Sequence, residues 1–339
     1  MPNILLTQRC VRSCPYCFAK KHMEGSVQDE CLKWEDLIYL ADLQEIGGYR
    51  EMRFLGGEPT LHPHFPDFVA YSLKRNFRVV TFTSGIMSDK ILAGIREIYL
   101  KIPEASGRFS FLCNINDPKI SPAAETERLH LFLTEFGKHV SPGFNIYEND
   151  FDLGFFADFI NRYGLVRTLR LGVAHPIYKK DNSYIAARDL AVVLRRIASF
   201  YPVFSRLNIS VGLDCGFPLC GLSDSELGVM HKFSKGSLKF RCEPILDIGP
   251  DMTVWPCFPL SSVKVRKVYD FNSIREMGEY YHKFHGEVSA EAGGIFPECD
   301  ECFDRARGLC SGGCKAHILN QLDKEHLKFR KLNISHDPK

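Results

Sequence analysis

Short apolar runs alternate with amphipathic segments along the first two thirds of the chain. The runs Asn3–Thr7, Glu51–Leu55, Arg78–Thr83, Arg108–Asn114, Phe144–Tyr147 and Val166–Val173 have the length and side-chain character of strands. Between them, apolar residues recur at helical spacing. Leu37, Leu40 and Ala41 mark a helix over Trp34 to Gln44 that stops at Gly47-Gly48. Phe156, Phe159, Ile160 and Tyr163 follow a candidate N-cap at Asp152, and Leu190, Val193, Leu194 and Ile197 mark another helix. Strands alternating with helices predict βα units around a parallel sheet. The expected fold is therefore α/β, a partial (β/α)6 barrel of TIM type over residues 1–213. Such barrels bind ligands at the C-terminal ends of their strands. Three segments should converge there: the loop after Thr7, the turn Gly56-Gly57-Glu58-Pro59, and Ser84-Gly85.

After Leu213 the helical periodicity fades and glycine and proline become frequent. Residues 214–325 are expected to form a C-terminal cysteine-rich auxiliary domain. A helix-like segment runs from Ala316 to Leu332, and residues 326–339 form a polar tail.

The cysteines change this picture from architecture to chemistry. The chain has 13 of them in 339 residues. Cys10, Cys14 and Cys17 stand at the spacing C-x3-C-x2-C, eight more lie between 215 and 314, and Cys31 and Cys113 stand alone as candidate buried thiols. Disulfides are disfavoured in a reducing compartment, so the grouped cysteines read as metal ligands or catalytic thiols. Three thiolates can hold three corners of an iron–sulfur cube and leave the fourth iron open. A zinc site short of one ligand, or plain buried thiols, are the alternatives. Cys215, Cys220, Cys242, Cys257, Cys299, Cys302, Cys310 and Cys314 make two tetrathiolate sites, and spacing alone does not choose zinc or iron. Gly56 and Gly57 allow backbone to approach a ligand, and Glu58 can accept bonds from an ammonium group; an ordinary βα turn is the alternative.

Composition narrows the partners. Apolar residues make up 45% and charged residues 25%, ordinary for a soluble globular chain. A net charge of +2 without a basic run gives no reason to expect a nucleic acid or an anionic membrane. No apolar stretch approaches the roughly 18 residues of a membrane span, and a cysteine so soon after the first strand leaves no room for a signal peptide. A cytoplasmic location is expected.

The stretch Cys10-Val11-Arg12-Ser13-Cys14-Pro15-Tyr16-Cys17, followed one βα unit later by Gly56-Gly57-Glu58-Pro59, resembles the radical SAM superfamily. The resemblance implies one [4Fe-4S] cluster on Cys10, Cys14 and Cys17, and S-adenosylmethionine bound to its open iron. It implies that Gly56, Gly57 and Glu58 hold the amino group of that cofactor and that Tyr16 touches its adenine. Ser84, Asn114 and Arg170 become candidates for the remaining contacts.

The C-terminal cysteines resemble the SPASM extension of radical SAM maturases, which carries two auxiliary clusters. By that resemblance Cys242, Cys257 and Cys314 belong to the nearer cluster, and Cys299, Cys302 and Cys310 to the farther. Two departures stand out: no cysteine follows Cys314, and the spacer from Cys302 to Cys310 is longer than usual. Each set then lacks a ligand. Cys215 and Cys220 could supply both; alternatively one ligates and the other is a free thiol that donates a hydrogen atom to the substrate.

The implied activity is that of an oxidoreductase or maturase whose 5′-deoxyadenosyl radical takes hydrogen from a substrate. A ribosomally made peptide leads as substrate, through oxidation, cross-linking or epimerisation, with a small-molecule intermediate second. Phe258, after Cys257, stands where sulfatase-maturing members place an acidic residue, which argues against that activity. The chain begins at the cluster strand, so a separate peptide-recognition protein is expected if the substrate is a peptide. An external electron donor such as a flavodoxin or ferredoxin is expected too. The alternative class is a non-catalytic iron–sulfur or zinc protein serving electron transfer or regulation.

Overall fold

The computed structural model describes residues 1–19 and 31–324. Seven parallel strands lie side by side in chain order: β1 (Asn3–Thr7), β2 (Glu51–Gly56), β3 (Arg78–Thr83), β4 (Phe109–Asn114), β5 (Val140–Ile146), β6 (Thr168–Val173) and β7 (Ser210–Leu213). This is the curved parallel sheet of a partial barrel, open at β7. The expected count of six strands is one short. β7 is only four residues long and carries Ser210 and Gly212, so its apolar content is too thin to read as a strand alone. Parallel pairing from Thr168↔Ser210 to Leu171↔Leu213 makes it one.

Two other expected boundaries move. β5 begins at Val140 rather than Phe144, although Ser141-Pro142-Gly143 reads locally as a turn. Its first half pairs with β4 and its second half with β6, so neighbours on both sides hold it extended. Asp152 does not cap the following helix, which starts at Phe155 after Gly154. Its carboxylate instead accepts the Gly154 N–H at 2.7 Å, a local turn one step earlier.

The longer helices are α1 (Trp34–Ile46), α2 (Phe65–Lys74), α3 (Asp89–Lys101), α4 (Ala123–Phe136), α5 (Phe155–Tyr163), α6 (Leu190–Ser199), α7 (Asp224–Phe233), α8 (Ile274–Ala292) and α9 (Lys315–Lys324). Their starts follow capping chemistry where the sequence supplies it. Ser88 accepts the Ile91 N–H, Ser273 accepts the Glu276 N–H, and Ser223 and Glu226 form a reciprocal capping box. Each turns one apolar stripe inward: Leu37, Leu40 and Ala41 in α1, and Leu190, Val193, Leu194 and Ile197 in α6 are buried. The expected helix from Ala316 to Leu332 is observed as α9 as far as Lys324. Its remainder and the tail over 326–339 lie outside the described residues. No helix among the described residues is long and apolar enough to cross a membrane.

The C-terminal segment enlarges the barrel sheet. β8 (Asp247–Ile248) pairs in parallel with β1, and β9 (Thr253–Trp255) and β10 (Arg266–Lys267) continue antiparallel beyond it. Asn3 Nδ2 donates to Asp247 Oδ1 at 2.7 Å across this junction. β1 is thereby flanked on both sides, which explains why Ile4, Leu5 and Leu6 are all buried.

Between sheet and helices the core is strongly aromatic. Phe111 packs against Phe109 at 4.6 Å and edge-on against Phe132 at 5.1 Å. Replacing Phe111 by Ala should cost about 3–5 kcal/mol of stability, read as a lower urea midpoint; a loss under about 1 kcal/mol would contradict this packing.

Candidate functional site

The exits of β1, β2 and β3 meet at the C-terminal edge of the sheet. The first loop carries Cys10, Cys14 and Cys17, and the Cys17 N–H donates to the Cys14 carbonyl at 3.1 Å. The turn after β2 is tied to the root of that loop by two backbone bonds. Gly57 N–H donates to Thr7 O at 2.9 Å and Glu58 N–H donates to Arg9 O at 2.7 Å. Such proximity requires glycine. A Cβ at Gly56 would lie 2.3 Å from Thr7 O, and one at Gly57 would lie 2.2 Å from Arg9 O.

Glu58 is 1% exposed, and its carboxylate is engaged by protein donors. Oε1 accepts from Thr60 Oγ1 and Thr83 Oγ1, both at 2.8 Å. Oε2 accepts from Ser84 N at 2.8 Å and Ser84 Oγ at 2.7 Å. Glu58 thus pins the end of β3 to the glycine turn, and Ser84 serves the same knot. The side chains of this expected pair bind each other, while the backbone of Gly56 and Gly57 runs along the cysteine loop.

Tyr16 is stacked on Tyr147 at 4.8 Å, and its hydroxyl lies 3.5 Å from Asn116 Oδ1. Burial, followed by the neighbouring Cys14 thiol, pushes the Tyr16 phenol upward. Arg12 spans the loop, donating to Glu125 Oε2 at 2.8 Å and to the Asn114 carbonyl at 3.2 Å. A cavity of about 440 Å³ opens here, with Cys14, Tyr16, Asn116, Glu125, Asn145 and Tyr147 on its wall. Arg170, on β6, is ion-paired with Asp214 and stacked over Phe82 of β3 at 5.0 Å. Burial pushes Asp214 upward and Arg170 opposes it.

None of the thirteen cysteines, all among the described residues, is in a disulfide. Burial first, then Glu58 and the other two loop thiols, push Cys10 up to about 11, against the Arg12 N–H on its sulfur. Among the C-terminal cysteines, Cys242 is pushed up to about 12 by its hydrogen bond with Cys314 and then by burial. Burial pushes Cys257 well above the ordinary thiol range, and Cys242, Cys314, Asp247 and Cys215 add to it. Cys299, Cys302 and Cys310 line a second cavity of about 580 Å³, and these three thiols, after burial, raise Cys220. Among the described residues, no three histidine, cysteine or acidic side chains stand close enough to hold one metal ion. The two solitary cysteines differ: Cys113 is buried, whereas Cys31 is half-buried and donates to Thr7 Oγ1 at 3.3 Å.

Several residues of this site were silent in the sequence. Thr60 and Thr83 gave no signal beyond being small and polar, and Glu125 sits far along the chain from its partner Arg12. Arg12 itself was visible as a cation inside the cysteine loop. Ser183, whose N–H donates to the Pro15 carbonyl at 3.1 Å, joins the loop after β6 to the cysteine loop and could not have been anticipated.

Replacing Glu58 by Gln puts an NH2 where only donors approach. The substitution should lower stability by about 1–3 kcal/mol in urea unfolding. An unchanged midpoint would show that the carboxylate does not hold β3 to the glycine turn.

Comparison with known proteins adds to this geometry. Residues 4–116 match the family model of the Radical SAM superfamily. The PqqA peptide cyclase of Granulibacter bethesdensis is 29% identical over 139 residues, 38% of this chain and 37% of that protein. The GTP 3′,8-cyclase of Corynebacterium glutamicum is 28% identical over 102 residues, 28% of this chain and 27% of that protein. The match spans little more than a third of the curated relatives' own length. Two solved structures share the fold: anSMEcpe with bound AdoMet (TM-score 0.64, 14% identity, 93% of this chain and 90% of that one) and Streptococcus suis SuiB bound to S-adenosylmethionine (TM-score 0.63, 14% identity, 95% and 74%). The shared fold therefore includes the cysteine-rich C-terminal segment.

Proposed function

We propose that the chain, whose residues 4–116 match the model of the Radical SAM superfamily, is an enzyme of that superfamily that cleaves S-adenosylmethionine and abstracts hydrogen from a peptide. One observation carries the reading. The C-x3-C-x2-C loop and the glycine turn, separated in sequence, are locked together by Gly57 N–H on Thr7 O and Glu58 N–H on Arg9 O.

The residues fit the cofactors. Cys10, Cys14 and Cys17 would hold a [4Fe-4S] cluster, whose iron charge would offset the burial, and after it the neighbouring Glu58 and thiols, that raise Cys10. Gly56 and Gly57 pack so tightly on the root of the cysteine loop that any side chain would collide with it, so their backbone stays beside that loop, where S-adenosylmethionine would bind. When bound, the cluster and S-adenosylmethionine together supply the 5′-deoxyadenosyl radical. The protein's part is placement. Glu58 holds Ser84 and Thr83 at the mouth; Tyr16, stacked on Tyr147, offers an aromatic wall to the adenine; Arg12, fixed by Glu125, steadies the loop. Asn114 stands at the same mouth through its carbonyl bond to Arg12. Arg170, neutralised by Asp214, is the weakest of the expected contacts.

A peptide is favoured because one relative is named a PqqA peptide cyclase and the fold is shared with SuiB, solved with its precursor peptide SuiA. A second reading, a small-molecule substrate, draws on the relatives named GTP 3′,8-cyclase. In either case a flavodoxin or ferredoxin would deliver the electron, and a separate recognition protein would present a peptide. The eight C-terminal cysteines would hold auxiliary iron–sulfur clusters.

The test is anaerobic reconstitution followed by dithionite and S-adenosylmethionine. The wild-type protein should release 5′-deoxyadenosine, and Cys14→Ala should reduce release to background. No release from iron-replete wild type would overturn the enzymatic reading. Adding synthetic peptides encoded beside the gene should raise turnover and give a product of altered mass.

A further inference from the structure

The glycine turn fixes the root of the cysteine loop, at Thr7 and Arg9, and Arg12 fixes its middle through Glu125 and the Asn114 carbonyl. The half that carries Cys14 and Cys17 needs its own anchors. Tyr16, stacked on Tyr147, supplies one through its side chain. The backbone of this half is held from the loop between β6 and α6, where Ser183 N–H donates to the Pro15 carbonyl at 3.1 Å. That loop is in turn held by the C-terminal segment.

The grip starts at Asn320 on α9. Its Oδ1 accepts the Lys179 N–H at 3.1 Å, and its Nδ2 donates to the Ile177 carbonyl at 3.3 Å and to the Ala316 carbonyl of its own helix at 2.9 Å. One side-chain amide thus engages a donor and an acceptor of the same tight turn, which Lys180 N–H closes on the Ile177 carbonyl at 3.2 Å. The turn puts Lys179 in the left-handed region, at a φ of 57°, which a residue with a side chain keeps only where its surroundings impose it. Asn182 carries the constraint onward. Its Oδ1 accepts the Ile177 N–H at 3.0 Å and its Nδ2 donates to the His175 carbonyl at 2.9 Å, which fixes the chain immediately before Ser183.

Two more contacts join this loop to the C-terminal segment. Tyr178 N–H donates to the Pro259 carbonyl at 2.9 Å, in the turn that follows Cys257. His317 of α9 packs edge-on against His175 at 5.4 Å and against Tyr184 at 5.7 Å. The β6–α6 loop is therefore gripped by the C-terminal segment on one side and grips the cysteine loop on the other.

We infer that Asn320 and Asn182 are positioning residues for the Cys14–Cys17 half of the first loop, acting through the bond from Ser183 to Pro15. The C-terminal segment thereby shapes the first loop as well as carrying its own cysteines. The expected effect on S-adenosylmethionine rests on the proposed function; the coupling between α9 and the loop does not.

The experiment uses the full chain after anaerobic reconstitution. Hydrogen exchange read by mass spectrometry follows the backbone of the cysteine loop, and equilibrium dialysis follows S-adenosylmethionine binding. Asn320→Ala and Asn182→Ala should each speed exchange of the Cys14–Cys17 amides about five- to tenfold. Each should also weaken S-adenosylmethionine binding about tenfold. Exchange at the root of the loop, held by the glycine turn, should stay unchanged. The double variant should show no more than the larger single effect, because both residues act through one bond. Asn320→Asp, which keeps the acceptor for Lys179 N–H, should fall between wild type and Asn320→Ala, and with Asn182→Ala it carries the comparison if Asn320→Ala does not fold. Tyr281→Phe controls for general loss of stability. Its hydroxyl donates to the Val254 carbonyl at 2.7 Å and the Lys264 carbonyl at 2.8 Å, within the C-terminal segment and away from the β6–α6 loop. It should lower the urea midpoint and leave loop exchange and binding as in wild type.

Unchanged loop exchange in the Asn320 variants, or equal acceleration in Tyr281→Phe, would overturn the positioning role. Additive effects of Asn182→Ala and Asn320→Ala would overturn their action through one bond. Release of 5′-deoxyadenosine is measured separately on wild type. Its absence, alongside faster loop exchange in the Asn320 and Asn182 variants, would sink the proposed activity and leave this inference standing.

Discussion

The structure depends on how closely the glycine turn after β2 approaches the exit of β1. With Thr7 O 2.3 Å from the place of a Cβ at Gly56, and Arg9 O 2.2 Å from one at Gly57, no larger residue fits without moving backbone. This contact converts two neighbouring loops into one rigid platform. The cysteine loop takes its root position from the turn, and the turn takes its height from the sheet register, Asn3↔Arg53 through Leu5↔Leu55. A loop that is to hold a cluster must present its thiols at fixed positions, and a loop anchored only at its strand would not do so.

Glu58 extends the platform sideways. Burying a carboxylate is costly unless its lone pairs are met, and here Thr60, Thr83 and Ser84 meet them. The same donors fix the end of β3, so the third strand's exit is set by the second strand's turn. Arg12 makes the corresponding connection to β4 and α4, through the Asn114 carbonyl and Glu125. The mouth of the barrel is therefore a hydrogen-bonded ring of loops, with Tyr16 and Tyr147 stacked on one side.

The C-terminal segment attaches to the other side of β1. Its strand β8 uses the edge that β2 leaves free, and Asn3 with Asp247 seals the junction. The strand that delivers the first cysteine loop is thus also the strand on which the cysteine-rich segment is built. At the far edge, β7 hands the chain over with Asp214 held by Arg170.

The sequence alone carried the local chemistry. The C-x3-C-x2-C loop, the Gly-Gly-Glu-Pro turn and the alternation of strands with amphipathic helices were all legible, because ligand spacing, glycine requirements and hydrophobic period are properties of short windows. What it did not carry was pairing across distance. Pro142 in β5 and the thin pattern of β7 read as loop until neighbouring strands supplied hydrogen bonds, and Asp152 offered a cap that the helix did not use. Glu58 was legible as a carboxylate at the mouth, but its partners Thr83 and Ser84 were decided by the β2–β3 register. In the same way the sequence counted eight late cysteines, and only the folded chain puts Cys215 and Cys242 on the wall of one cavity. The physical reason is common to all of these: a short segment determines its own conformational preference, whereas which donors, charges and thiols become neighbours depends on closing loops of many residues, and only the packed sheet closes them.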